Sequence, residues 1–219
     1  MKSLFSSSTL LLALLMTPFS LTMADESIQQ IVEGCDSCHS DGHNAMKHLM
    51  VAPVLNGMPD WYIEKQMENF RTGNRVARGN DANEINTAHQ SRALNEDSLS
   101  LVADYYEELE LRFAQTRPVD AIAKASRNAP SAEQGEALFE DSCASCHTSF
   151  VGRYLTDSPE ITHLEGEYLL NQLEAFKKGE RRFFDENKHQ RKMVERIKNL
   201  STEELLSIVS YIKENAQSL

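Results

Sequence analysis

Apolar residues recur along the chain at three- and four-residue intervals, and no stretch alternates strictly between apolar and polar positions. That period belongs to helices, so the pattern predicts an all-α fold in which helices are separated by irregular loops. Ile63, Met67 and Phe70 fall on one helical face, as do Leu169, Leu170, Leu173 and Phe176. Gly73 and Gly179 follow these two segments, where a left-handed residue ends a helix. A further helix is predicted from Asn95, with Leu99, Val102, Tyr106 and Leu109 facing inward. Its later counterpart opens on Ser201-Thr202-Glu203-Glu204, a capping-box sequence, and carries Leu205, Ile208, Val209 and Ile212. Ser131-Ala132-Glu133-Gln134, ahead of Ala137, Leu138 and Phe139, marks another helix start.

These segments come in pairs. Tyr62, Gln66, Phe70, Gly73, Arg75, Leu94 and Tyr105 each recur 106 positions later, as Tyr168, Gln172, Phe176, Gly179, Arg181, Leu200 and Tyr211. A repeat of that length is a domain rather than a solenoid unit. The reading is therefore two tandem domains, 25–115 and 131–219, joined by a linker at 116–130 that contains Pro118 and Pro130. Residues 1–24 carry Lys2, an apolar run from Leu10 to Met16 and the small-residue site Thr22-Met23-Ala24. They read as an export signal cleaved near Ala24. An uncleaved anchor is the competing reading, against which stand Thr17, Pro18 and Ser20, because they shorten the apolar span.

Acidic residues outnumber basic ones by 33 to 22, a formal charge of −11. Such a chain repels polyanions, which excludes nucleic acid as an expected partner.

The cysteines carry the chemistry. All four lie in two equal frames, Cys35-Asp36-Ser37-Cys38-His39 and Cys143-Ala144-Ser145-Cys146-His147. Two thiols a short loop apart can add to the two vinyl groups of one haem, and the adjacent histidine then serves as proximal iron ligand. Zinc ribbons and redox dithiols also use C-x-x-C, but neither requires a histidine after each second cysteine. Two covalently bound haem c groups are therefore expected, one on Cys35, Cys38 and His39 and one on Cys143, Cys146 and His147.

The order of C-x-x-C-H, then Ala52-Pro53-Val54-Leu55-Asn56-Gly57, then Tyr62 to Arg75, then Leu94 and the closing helix, resembles a class I cytochrome c. Duplicated over nearly all residues after the leader, it is similar to the periplasmic dihaem cytochrome c4 group and to related dihaem subunits of larger redox enzymes. The resemblance implies two similar helical domains about a pseudo-twofold axis, with their haems close enough for rapid electron exchange.

The resemblance also points to the sixth iron ligands. The family's distal methionine, seven residues before the Leu ahead of the closing helix, falls on Met193. His189 is a weaker rival. In the first half the equivalent residue is Thr87, and His89 two residues on is the expected substitute if the segment is a loop able to shift. An open or water-ligated iron, or recruitment of His43, His48 or an upstream Met, are the alternatives there. Thioether ligation raises an iron's potential relative to imidazole, so the second haem is expected to be the higher.

Two further features carry their own readings, and the first is expected at the surface. His163 stands where the first half has Gly57. The basic residues Lys177, Lys178, Arg181 and Arg182, with Arg71 and Arg75, suit haem propionates, an acidic partner patch or solvated helix ends.

Together these features imply a periplasmic carrier of single electrons. Its expected partners are a membrane quinol–cytochrome c reductase and a terminal oxidase or reductase, with peripheral contact at the inner membrane. The alternatives are a dihaem redox enzyme, of the peroxidase or sulfur-compound dehydrogenase type, and an electron-transfer subunit of a larger complex.

Overall fold

The computed structural model describes residues 20–39, 52–75, 82–110, 132–181 and 188–216. Among these are ten helices and no strand, the all-α fold that the periodicity predicts. In chain order they are α1 (Ser20–His39), α2 (Asp60–Thr72), α3 (Ala82–Ala93), α4 (Glu96–Glu108), α5 (Ala132–Ser142), α6 (Ala144–His147), α7 (Phe150–Thr156), α8 (Gly166–Lys178), α9 (Lys188–Ile197) and α10 (Thr202–Glu214). Among the described residues none of the helices is long and apolar enough to cross a membrane. The linker expected at 116–130, the leader before Ser20, and His43 and His48 lie outside the described residues.

Local chemistry sets the helix ends. The Asn95 side chain accepts from the Ser98 N–H at 2.7 Å and starts α4. Ser201 and Glu204 form a reciprocal capping box at α10, which satisfies two otherwise orphaned donors. Gly73 and Gly179 end α2 and α8 at φ 77° and 73°, a conformation that costs an L-residue energy and glycine little.

The helices pack in two sets that follow one another along the chain. In the first, α1 crosses α4, and α2 packs on α3 and α4. In the second, α5 crosses α10, α8 packs on α10, and α9 rests on α8 and α5. Val102, Ala103 and Tyr106 are buried in the first set; Phe139, Leu205, Ile208 and Val209 are buried in the second. The α5–α10 crossing is the tighter feature. A Cβ on Gly135 would collide with the Ser207 carbonyl and lie 3.1 Å from Tyr211 Cβ, so only glycine lets these backbones approach.

The sets meet through residues that the sequence repeats. Arg181 donates to the Tyr62 hydroxyl at 3.1 Å and to Gln66 Oε1 at 2.6 Å. Arg75 donates to the Tyr168 hydroxyl at 3.4 Å. Arg75 and Arg181 pair through their backbones in an isolated antiparallel bridge, and each guanidinium stacks on a phenylalanine of its own half, Phe70 or Phe176. Both arginines are 8% exposed. The reading of these two residues as solvated helix ends is therefore corrected: they are interior, held by tyrosine, glutamine and aromatic partners. Of the other basic residues, Arg71 donates to the Ser91 and Leu94 carbonyls and Lys177 to the Leu200 carbonyl. These two occupy equivalent places and close the C-terminal ends of neighbouring segments.

Candidate functional site

In the second set, α5 delivers the chain to Cys143, whose N–H donates to the Phe139 carbonyl at 2.8 Å. One turn of α6 then brings Cys146 and His147 round, with both N–H groups donating to the Cys143 carbonyl at 3.1 Å. In the first set α1 runs unbroken through Cys35, Cys38 and His39. The Tyr106 hydroxyl, from α4, donates to Asp36 Oδ1 at 2.7 Å and ties this motif to the core.

Each motif histidine is held the same way. His39 Nδ1 lies 2.8 Å from the Pro53 carbonyl and His147 Nδ1 lies 3.0 Å from the Pro159 carbonyl. A carbonyl only accepts, so Nδ1 carries the proton and Nε2 keeps its lone pair. Burial pushes both imidazoles below the ordinary histidine range, which keeps them neutral and able to ligate a metal. Pro53 and Pro159, again 106 positions apart, are functional residues whose role the sequence reading missed. Their signal was the repeat itself.

The thiols are not joined in disulfides, and the first thiol of each motif is held protonated. Burial, reinforced by Asp36 and Cys38, pushes Cys35 up to about 11. Burial, reinforced by Cys146 and Asp141, pushes Cys143 up to about 12. A redox dithiol needs a lowered thiol pKa, so these sites do not suit that chemistry. Among the described residues no three His, Cys, Asp or Glu side chains gather as a metal cluster, which leaves a zinc ribbon without ligands.

Cys143, Cys146 and His147 instead border a solvent-open cavity walled by apolar side chains such as Leu169 and Ile208. Met193, from α9, lines the same cavity, as does His189. Two thiols, an imidazole with a free Nε2, a thioether and apolar walls fit a covalently attached haem.

His89 is placed differently. The expectation rested on a loop at 87–89 that could shift, but this segment is helix α3. Two residues along a helix rotate a side chain by about 200°, so Thr87 keeps the face that Met193 has in α9 while His89 turns outward. His89 is exposed and borders a shallow depression with Phe70, Arg75 and Ile85. His163 also departs from expectation: it is fully buried, neither ring nitrogen has a hydrogen-bond partner, and burial pushes it down to about 4.

Residues 132–216 match the cytochrome c family. That stretch is similar to a cytochrome c domain. No curated protein matches the sequence. Among solved structures the chain is similar to cytochrome c4 of Pseudomonas stutzeri, at 24% identity and TM-score 0.58, covering 86% of this chain and 96% of that one. It is similar to cytochrome c4 of Acidithiobacillus ferrooxidans at 19% identity and TM-score 0.57, covering 82% and 98%. It is also similar to the as-isolated form of thiosulfate dehydrogenase (TsdBA) of Marichromatium purpuratum, at 23% identity and TM-score 0.58, covering 81% of this chain. The chain spans 35% of that protein's length. Its fold is thus cytochrome c4-like. Bound haem supplies one-electron chemistry at iron; the protein supplies attachment, ligands and local charge.

Proposed function

We propose that the chain is a periplasmic dihaem cytochrome that carries single electrons, with haem one on Cys35, Cys38 and His39 and haem two on Cys143, Cys146 and His147. The observation carrying this reading is the pairing of each motif imidazole with a proline carbonyl, His39 with Pro53 and His147 with Pro159. Both motifs present a neutral Nε2 in the same manner, as two working haem sites require. Met193 is the sixth ligand of haem two. Electrons enter at haem one, from a membrane quinol–cytochrome c reductase, and rest on haem two before passing to a terminal oxidase or reductase. The domains run 25–115 and 131–219, with the leader removed near Ala24.

One observation favours a second reading. Thr87 takes the place of Met193 in the first half, so α3 presents no methionine to haem one. A haem with an open or exchangeable sixth position can act on a small substrate. The similarity to thiosulfate dehydrogenase suits an enzyme, or a subunit of a larger one, that oxidises a sulfur compound.

The optical spectrum of the purified protein, reduced with and without carbon monoxide, separates the readings. An unchanged reduced spectrum supports the carrier. A shift of about half the haem absorbance moves the enzyme ahead.

A further inference from the structure

The two motifs are built alike but sit in unlike electrostatic surroundings, with more carboxylates around the first and with Lys213 near one of them, Glu165. Asp36 lies inside the first motif, hydrogen-bonded to Tyr106 at 2.7 Å; the second motif has Ala144 there. Glu84 on α3 pairs with the buried Arg75 at 3.9 Å, with side-chain exposures of 12% and 9%. Its counterpart on α9 is the neutral Gln190, which lines the second cavity with Arg181. Glu165, at the N-cap of α8, belongs to the second half but acts electrostatically on His39 of the first, alongside Arg75 and Asp36. Its counterpart in the first half is Pro59. Around His147 the corresponding charges are Glu160 and Arg153, which form an ion pair with each other.

We propose that Asp36, Glu84 and Glu165 form a carboxylate set that holds haem one at a lower potential than haem two, and so sets the direction of electron flow. This rests on the two-haem reading above and adds to it the residues that fix the order. Ferric haem carries one more positive charge than ferrous haem. A nearby carboxylate therefore stabilises the oxidised form and lowers the potential. The pairing with Arg75 offsets Arg75's opposite effect at haem one, whereas the second half has the neutral Gln190 in the place of Glu84. Glu84 is nearly buried and both Glu165 carboxylate oxygens are inaccessible, so salt screens them weakly. The order set by these carboxylates is the same as that set by Met193 at haem two, but its origin is separate.

The test is redox titration of the purified dihaem protein and of Glu84→Gln, Glu165→Gln and Asp36→Asn, each of similar size to the original residue. Haem content is measured first by pyridine haemochrome, and Met193→His marks the midpoint that belongs to haem two. Each carboxylate substitution is expected to raise the haem-one midpoint more than that of haem two. The triple variant is expected to change the electron-exchange constant between the haems by about tenfold, which is 59 mV for one electron. Gln190→Glu is expected to lower the haem-two midpoint, and these shifts persist at high salt. Two haems per chain with the haem-one midpoint unmoved in all three variants overturns the proposal while leaving the carrier reading intact. Fewer than two haems in the unsubstituted protein overturns the reading beneath it.

Discussion

Arg181 reaches out of its own half to donate to the Tyr62 hydroxyl at 3.1 Å, and Arg75 makes the reciprocal bond to Tyr168 at 3.4 Å. Each arginine is interior, so it must be fully partnered to be tolerated. Arg181→Met should cost about 2–4 kcal/mol, because it strands the buried Gln172 oxygen and leaves Gln66 Oε1 with Arg75 as its remaining donor. Tyr62→Phe should cost about 1 kcal/mol. Denaturant unfolding of both variants and of the double variant measures the coupling; additive losses would show that the two residues do not interact.

Gly135 lets α5 lie against the backbone of α10 at Ser207. Gly135→Ala should destabilise by about 2–4 kcal/mol, despite alanine's better helix propensity, because the colliding atom is backbone and cannot rotate away. Gly34, with nothing within 4 Å of an added Cβ, serves as the control. Gly34→Ala should leave the thermal midpoint equal or higher.

Met193 shares the cavity with His147. Met193→His should lower one of two haem midpoints, since imidazole favours ferric iron more than thioether does. Met193→Ala should let about half of the reduced haem bind carbon monoxide in addition to whatever the unsubstituted protein binds. An unchanged pair of midpoints in Met193→His would remove Met193 from the ligand set.

His163 is buried without a hydrogen-bond partner, and burial lowers it from 6.5 to about 4. The unfolded chain therefore takes up this proton before the folded chain does. Stability is full above the unfolded value and falls as pH drops from about 6.5 toward 4, by up to roughly 3 kcal/mol from this group. His163→Leu should remove that part of the acid sensitivity. Unfolding free energies at pH 7 and pH 4.5 should differ less in the variant than in the original.

Much of the fold was legible because helix formation is local. The period of Leu169, Leu173 and Phe176, the glycine after each middle helix and the Ser201–Glu204 box all act within a few residues, so the chain alone displays them. The repeat at 106 positions was equally visible. The two C-x-x-C-H frames were too, since they are written in adjacent residues.

The failures came where a residue's environment is made by distant chain. His89 was read as part of a shiftable loop, yet α3 fixes its direction, and on a helix a displacement of two positions reverses the face. His163 looked like a surface residue from its neighbours in sequence, but packing buries it completely.

The sequence by itself determined the helices, the duplication and the two thiol–imidazole frames, since each is written in short-range spacing. Only the tertiary structure decided that Arg75 and Arg181 are interior, that proline carbonyls orient His39 and His147, and that Arg181 reaches Tyr62 of the other half. The reason is physical: burial and electrostatic fields sum over every element packed nearby, and those elements lie up to half a chain apart.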